Sequence, residues 1–347
     1  MRQRTIADLV FQCLGYPPHG PALSFFAHMR PSQVSKGFSL VPGYTWTFGV
    51  RHQQDLDILI RPDSYRSACG ALRELQYKYL SYDDSGETKF FRHLGRAFYG
   101  MKDIYALQSA SYVELHHHLW ERRSRIKLEI NFDPWSRRQT KALRGIEFPT
   151  MCDEYTFIWQ LLHCFRYFLS GWIRPSWLYE IAVFVMSKSG EEKLWRAITS
   201  LALPERTARA CGLMLLLCRH LFLAELPSPL ERFLITPLPR SLARWVEDAG
   251  LRWASSDVTG SKLHLLIQHH FVEDEKAWRE QRSTLLLPRR APSITQLSRS
   301  QEESPLMWQG RWLSLLACRA GFHLATYLEY QLVSAKWKWA GGRMDCL

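Results

Sequence analysis

The sequence predicts an α+β fold, in which a small mixed sheet with helices is followed by a mostly helical C-terminal domain. Two observations support this class. Residues 31–150 contain short segments in which hydrophobic and polar residues alternate, as they do in strands buried on one side. From residue 151 onwards, apolar residues recur at helical spacing, and short proline-containing breaks such as Pro204 separate the segments.

Three alternating segments are the predicted strands that matter most for function. The first covers 56–60 and ends at a proline-containing turn, where Asp63 or Ser64 is expected to cap the following helix. The other two cover 111–119 and 125–132. With the helical stretches around them, these strands indicate a mixed rather than a purely antiparallel sheet.

The pattern divides the chain into five predicted segments. They are an N-terminal helix (1–30), an α+β domain (31–150), a helical domain (151–287), a linker (288–306) and a C-terminal tail (307–347). The linker is predicted from its proline, arginine, serine and glutamine content, which is typical of flexible connections.

Composition narrows the class of protein. The 347 residues include 45 Lys and Arg against 33 Asp and Glu, a formal charge of +12 that favours polyanionic partners such as nucleotides, nucleic acid or acidic membrane surfaces. The eight cysteines form no C-x-x-C pair, which argues against a zinc ribbon. Because no signal peptide and no uninterrupted run of about twenty apolar residues is found, we expect a cytoplasmic protein that does not bind membranes.

Two carboxylates lie on the first predicted strand. Strand alternation places Asp55 and Asp57 on one face and the apolar residues Leu56, Ile58 and Ile60 on the other. Carboxylates about 7 Å apart on a strand repel each other unless solvent screens them or a cation lies between them. Magnesium binds to such groups together with substrate phosphates. The same pair also fits a solvated strand end without a metal.

The second predicted strand carries further potential ligands. Alternation places Glu114, His116 and His118 on one face, and Glu114 is the expected third acid of a site for Mg²⁺ or Mn²⁺. Glu129, on the third predicted strand, is the alternative third acid. The histidines also permit a zinc or manganese site, or an exposed polar face.

These residues and several others stand in a characteristic order along the chain. That order is Lys36-Gly37, then Arg51, then Asp55-Leu56-Asp57, then Val113-Glu114-Leu115-His116, then His163, then the helical segment 172–181. Between residues 30 and 290, roughly, the chain resembles the largely uncharacterised bacterial nucleotidyltransferase family of the DNA-polymerase-β-like superfamily. Lys36-Gly37 stands where better-studied members of the superfamily have a Gly-Ser helix start, and Glu180 replaces an aspartate of the later helix.

The resemblance implies a nucleotidyltransferase-type sheet with Mg²⁺ held by Asp55, Asp57 and Glu114. Lys36, with Gly37, and Arg51 would then bind a nucleoside triphosphate such as ATP. The implied reaction is transfer of a nucleoside monophosphate to a hydroxyl acceptor by in-line displacement at the α-phosphorus.

The resemblance does not identify the acceptor: a small molecule, a peptide, a protein and a tRNA are all compatible with it. Two alternative functions also stay open. One is a nucleotide-binding accessory module of the same fold with weak catalysis, which the missing Gly-Ser start favours. The other is a toxin-type enzyme that modifies nucleic acid, which the charge of +12 favours.

Overall fold

The computed structural model of the protein describes most of the chain. The described residues are 32–34, 40, 43–44, 55–83, 87–92, 111–120, 126–143, 146–256, 261–287 and 304–341. They form two compact units, the first from 1–163 and 178–238 and the second from 164–177 and 239–347. The predicted helix at 1–30 and nearly all of the predicted linker lie outside the described residues, and the five predicted segments stay predictions.

A seven-stranded mixed sheet forms the centre of the first unit. The strands are β1 (Ser32–Val34), β2 (Asp55–Ile60), β3 (Lys78–Asp83), β4 (Glu87–Arg92), β5 (Ser111–His116), β6 (Arg138–Leu143) and β7 (Ile146–Met151). Their order across the sheet is β3-β4-β5-β2-β1-β7-β6. The pairs β2–β5 and β1–β7 are parallel and the remaining pairs are antiparallel, which confirms the predicted mixed sheet.

Among the described α-helices, the first lies between β2 and β3, and the others follow the sheet along the chain. The α-helices are α1 (Tyr65–Glu74), α2 (Asp153–Leu169), α3 (Pro175–Ser187), α4 (Glu192–Thr199), α5 (Glu205–Phe222), α6 (Ser228–Leu230), α7 (Arg240–Trp245), α8 (Leu251–Ala254), α9 (Glu275–Leu286) and α10 (Pro305–Gly341). Glu231–Ile235 and Val246–Gly250 are π-helical, and Pro62–Ser64, Leu263–Leu266 and Gln268–Phe271 are 3-10 helices. The predicted α+β class is therefore confirmed. No membrane-spanning helix is found in the described part of the chain.

One face of the sheet packs on helix α1. Leu56, Ile58 and Ile60 of β2 are buried there with Val113 and Leu115 of β5. Helix α1 contributes a matching apolar side, which consists of Ala68, Cys69, Ala71 and Leu72. Burial of this face, which alternation predicted, fixes the register of both strands, because a slip by one residue would turn every apolar side chain towards the other side.

The predicted helix cap is wrong. Ser64 occupies the position before α1, but neither its hydroxyl nor the carboxylate of Asp63 caps the helix; Ser64 Oγ instead donates to Asp63 Oδ1 at 3.1 Å. The preceding 3-10 turn begins with Pro62, whose fixed φ suits a helix start and whose missing N–H needs no partner there.

The predicted strand at 125–132 is also wrong. Residues 126–132 pair with no strand of the sheet, although Ile126 and Leu128 are buried and Glu129 is exposed, as the alternation predicted. Their backbone carbonyls bond to side chains instead: Ile126 O accepts from Trp120 Nε1 at 2.9 Å, and Glu129 O accepts from Thr207 Oγ1 at 2.6 Å. These bonds satisfy an extended chain without a neighbouring strand.

The second unit has an aromatic core of its own. Phe168 contacts both Trp245 and Trp253, with ring centroids 5.4 Å and 5.0 Å apart. His264 is buried beside this cluster, and its Nδ1 donates to Ser261 O at 2.9 Å. Burial lowers the pKa of His264 to about 4, because desolvation disfavours the charged imidazolium.

Candidate metal centre

The pairing of three neighbouring strands brings charged side chains into one row. The parallel register of β2 and β5 sets Asp57 opposite Glu114. The antiparallel register of β5 and β4 sets Glu114 opposite Lys89. Because residues directly opposite each other in a sheet point to the same face, Lys89, Glu114 and Asp57 form a row across β4, β5 and β2.

His116 joins this row from β5, two residues beyond Glu114 and therefore on the same face. Its Nε2 lies 2.8 Å from Asp57 Oδ1 and 3.9 Å from Glu114 Oε2. Asp57 is only 5% exposed and His116 only 3% exposed. A buried carboxylate needs a hydrogen-bond partner, and His116 supplies one to Asp57.

Lys89 forms the other end of the row. Its Nζ donates to Glu114 Oε1 at 2.5 Å, a charge-assisted hydrogen bond between neighbouring strands. The Lys89 side chain is 35% exposed, whereas those of Asp57 and His116 are buried. The row therefore runs from a buried end at Asp57 to a solvent-accessible end at Lys89.

Three side chains of the row can act together as metal ligands. Asp57, Glu114 and His116 each offer one ligand atom, and these atoms all lie within 4.8 Å of one another. Two carboxylate oxygens and one imidazole nitrogen at this spacing suit a divalent cation, with oxygen donors favouring Mg²⁺ and Mn²⁺.

The surroundings of the three ligands are apolar and aromatic. Trp159 of α2 meets the His116 ring edge-on, with ring centroids 6.0 Å apart. Leu59, which follows Asp57 on the same face of β2, is buried in a cluster with Trp159, Tyr155 and Met151. Such surroundings strengthen the interaction of a carboxylate with any bound cation, because they exclude water.

His117, the residue that follows the end of β5, points away from this cluster. The ring of His117 contacts Tyr65 of α1 at a centroid distance of 4.5 Å, on the opposite side of the sheet from Asp57. Burial lowers the pKa of His117 to about 4, and the neighbouring His118 and His116 shift it in the same direction. His117 is thus a neutral packing residue near neutral pH, and its ring lies against α1 rather than beside Asp57.

The structure brings some of the predicted site residues together, and others lie outside what it describes. Asp57 and Glu114 come together, and His116 belongs to the same group. Asp55 begins β2, where its backbone pairs with Tyr112, but its side chain is not among those described. Lys36, Gly37 and Arg51 lie outside the described residues.

Two further acids named from the sequence, Glu129 and Glu180, are not members of the group formed by Asp57, Glu114 and His116. Glu129 is exposed. Glu180, which replaces a family aspartate, is buried on α3. Of the two candidates for a third acid, the described geometry therefore places only Glu114 opposite Asp57.

Lys89 was not predicted from the sequence. The segment 87–92 alternates in a way that puts Lys89 and Phe91 on one face, and this was the available signal. The signal is insufficient alone, because only the register of β4 against β5 shows which residue Lys89 opposes.

Residues 24–223, more than half of the chain, match a family described as uncharacterised nucleotidyltransferases. No curated protein matches the chain, and no solved structure matches it. The matched range includes β2 and β5, which carry Asp57, Glu114 and His116. The chain therefore belongs to this family of uncharacterised nucleotidyltransferases.

Proposed function

We propose that the protein is a magnesium-dependent enzyme that transfers a nucleoside monophosphate from a nucleoside triphosphate to a hydroxyl acceptor. The observation that carries the proposal is the grouping of Asp57, Glu114 and His116, whose ligand atoms lie within 4.8 Å of one another on two parallel strands. Membership of a nucleotidyltransferase family supports the same reaction type.

The donor atoms of this group fit magnesium. Mg²⁺ binds to one or two carboxylates and completes its octahedron with water and substrate phosphates, and Asp57 and Glu114 supply two carboxylates. When bound, the ion neutralises phosphate charge and makes the attacking hydroxyl more acidic. The imidazole of His116 suits Mn²⁺ better than Mg²⁺ as a direct ligand, so with magnesium its function is to hold Asp57.

The residues around the proposed ion have separate functions. The hydrogen bond from His116 Nε2 orients the carboxylate of Asp57, which would otherwise rotate about its last side-chain bond. Lys89 balances the charge of Glu114 while no cation is bound. Lys36 and Arg51 are proposed, from the family resemblance, to bind the triphosphate through an ammonium and a forked guanidinium.

The reaction needs no covalent intermediate on the protein. The acceptor oxygen attacks the α-phosphorus, the bond from that phosphorus to the bridging oxygen breaks, and pyrophosphate leaves with the electron pair. The acceptor proton passes to solvent or to a nearby carboxylate. The protein contributes by holding both substrates in line and by stabilising the charge that develops.

Pyrophosphate release tests this proposal. The purified protein is incubated with each nucleoside triphosphate, with Mg²⁺ or Mn²⁺, and with small-molecule, peptide, protein and tRNA acceptors. We expect metal-dependent release of pyrophosphate and labelling of one acceptor class. The Asp55→Ala/Asp57→Ala double variant is expected to lose both signals. Equal signals from the wild type and the double variant would contradict the proposal.

A further inference from the structure

The long C-terminal helix α10 exposes a continuous apolar surface. Five of its leucines are among the most exposed large hydrophobic residues that are described: Leu306 (80%), Leu313 (64%), Leu324 (56%), Leu328 (54%) and Leu332 (69%). Successive helical residues are separated by about 100°, so these five fall within one arc of about 120°.

We call this arc the α10 stripe. It consists of Leu306, Gly310, Leu313, Ser314, Ala317, Ala320, Gly321, Leu324, Leu328, Gln331, Leu332 and Ala335, all of which are exposed. None of the twelve is charged. The stripe is about 44 Å long at 1.5 Å per residue. Exposed apolar surfaces of this extent on a folded protein usually mark an interaction site.

The opposite side of α10 is attached to the second unit. Tyr330 is buried, and Glu329 forms an ion pair with Arg252 at 2.7 Å. The guanidinium of Arg244 lies 5.2 Å from the ring centroid of Trp337. The buried Lys262 donates to the backbone carbonyl of His323 at 2.9 Å. The helix is therefore fixed at several points on one side, and the stripe is the side that these contacts leave exposed.

The pattern of large and small residues along the stripe is self-complementary. If two copies of α10 run antiparallel about a two-fold axis between Ala320 and Gly321, residues equally far from the axis face each other. Leu324 then lies opposite Ala317, and Leu306 lies opposite Ala335. Gln331 lies opposite Gly310, whereas Leu313 and Leu328 face each other. Three large side chains of each copy thus meet small ones of the other, and the facing leucines add apolar contacts on both sides of the axis.

The area of the stripe is sufficient for a weak specific dimer. A helix surface about 44 Å long and about 10–12 Å wide covers roughly 500 Å² of each copy, or roughly 1,000 Å² for the pair. This value reaches the lower limit for specific protein interfaces, which is about 1,000 Å². From the facing residues and this area, we propose that the α10 stripe is the interface of an antiparallel homodimer.

Sedimentation velocity on the full chain tests the dimer. Over roughly 1–100 μM, we expect the wild type to convert from monomer to dimer. Leu324→Glu places two carboxylates near the two-fold axis and is expected to raise the dissociation constant about a hundredfold or more. Leu223→Glu is the matched control, because Leu223 is 84% exposed outside the stripe, and it should dimerise like the wild type.

Cross-linking gives a second readout that does not depend on affinity alone. Cys318 is exposed and lies beside the stripe close to the axis, whereas the other described cysteines are buried. The two Cys318 sulfurs of an antiparallel pair fall within reach of a bismaleimide with a spacer of about 10 Å. We expect a covalent dimer from the wild type and from Leu223→Glu, and none from Cys318→Ser or Leu324→Glu.

Three results would overturn the proposal. The first is a wild type that stays monomeric at 100 μM, roughly the upper end of the range. The second is a Leu324→Glu variant that dimerises and cross-links as the wild type does. The third is a wild type that binds phosphatidylglycerol vesicles through the stripe without dimerising, which would assign the surface to lipid instead.

Discussion

The two faces of strands β2 and β5 differ in what their side chains do. On one face, Leu56, Ile58 and Leu115 are buried against helix α1 and stabilise the fold. On the other face, Asp57 and His116 are equally buried but hydrogen-bonded to each other. Strand alternation thus separates the residues that stabilise this sheet from the residues proposed to perform its chemistry.

The largest expected effect comes from changing the polar face. Asp57→Asn keeps the shape of the side chain but removes its charge, so a bound cation loses one of its carboxylate ligands. We expect nucleotidyl transfer to fall by about 10²–10³-fold, while the protein stays folded. Pyrophosphate release measures the first effect, and circular dichroism with urea unfolding measures the second. A variant with wild-type turnover would remove Asp57 from the proposed chemistry.

The apolar face is expected to give the opposite result. Ile58 is 1% exposed, and Ile58→Ala leaves a cavity between β2 and α1. We expect the free energy of unfolding to fall by about 2–5 kcal/mol, as measured by urea denaturation. Turnover per folded molecule should change little. If Ile58→Ala abolished turnover while leaving stability intact, the separation of the two faces would be wrong.

The choice of third acid is a finer test of the polar face. Glu114→Gln is expected to lower nucleotidyl transfer about 10- to 100-fold, because Glu114 lies opposite Asp57 and bonds to Lys89. Glu129→Gln is the matched control: Glu129 is exposed, and we expect turnover within about twofold of the wild type. A larger loss of turnover in Glu129→Gln than in Glu114→Gln would make Glu129 the third acid.

The smallest expected effect concerns His264, a buried histidine whose hydrogen-bond partner is a backbone carbonyl. His264 is hydrogen-bonded to Ser261 O, and its pKa in the folded protein is lowered to about 4 from the ordinary 6.5. As the pH falls below 6.5, the unfolded chain takes up a proton that the folded chain does not accept until about pH 4. Stability is therefore lost on acidification through this range.

We expect this group to lower the free energy of unfolding by about 1 kcal/mol between roughly pH 7.5 and 5.5. His264→Gln retains a donor for Ser261 O but does not titrate, so its stability should depend less on pH. The measurement is urea unfolding of both proteins at several pH values. Identical pH dependence would show that His264 is not neutral in the folded protein and would contradict this prediction.

The sequence predicted the sheet centre well and its edges poorly. Alternation located β2 and β5 and assigned their faces, because each has one fully apolar side. It did not locate β1, β3, β4, β6 or β7; in β6 and β7, side chains such as Thr140 and Pro149 give no clear alternation. At 126–132 it predicted burial correctly and pairing wrongly, since periodicity reports which side chains are buried and not what the backbone bonds to.

For the site, the sequence supplied the ligands but not their arrangement. Asp57, Glu114 and His116 were recognisable as potential ligands from their strands. The 2.8 Å contact between His116 and Asp57 and the contact of Lys89 with Glu114 depend on registers between distant segments. No pattern within a single strand contains that information, so these contacts required the fold.

A crystal grown with Mn²⁺ and a non-hydrolysable nucleoside triphosphate tests the central claim most directly. Manganese can be located by its anomalous scattering and accepts the same carboxylate ligands as magnesium. The predicted result is a manganese ion bound by Asp57 and Glu114 that also contacts phosphate oxygens of the nucleotide. Manganese and nucleotide bound elsewhere, with the hydrogen bond from His116 to Asp57 unchanged, would contradict it.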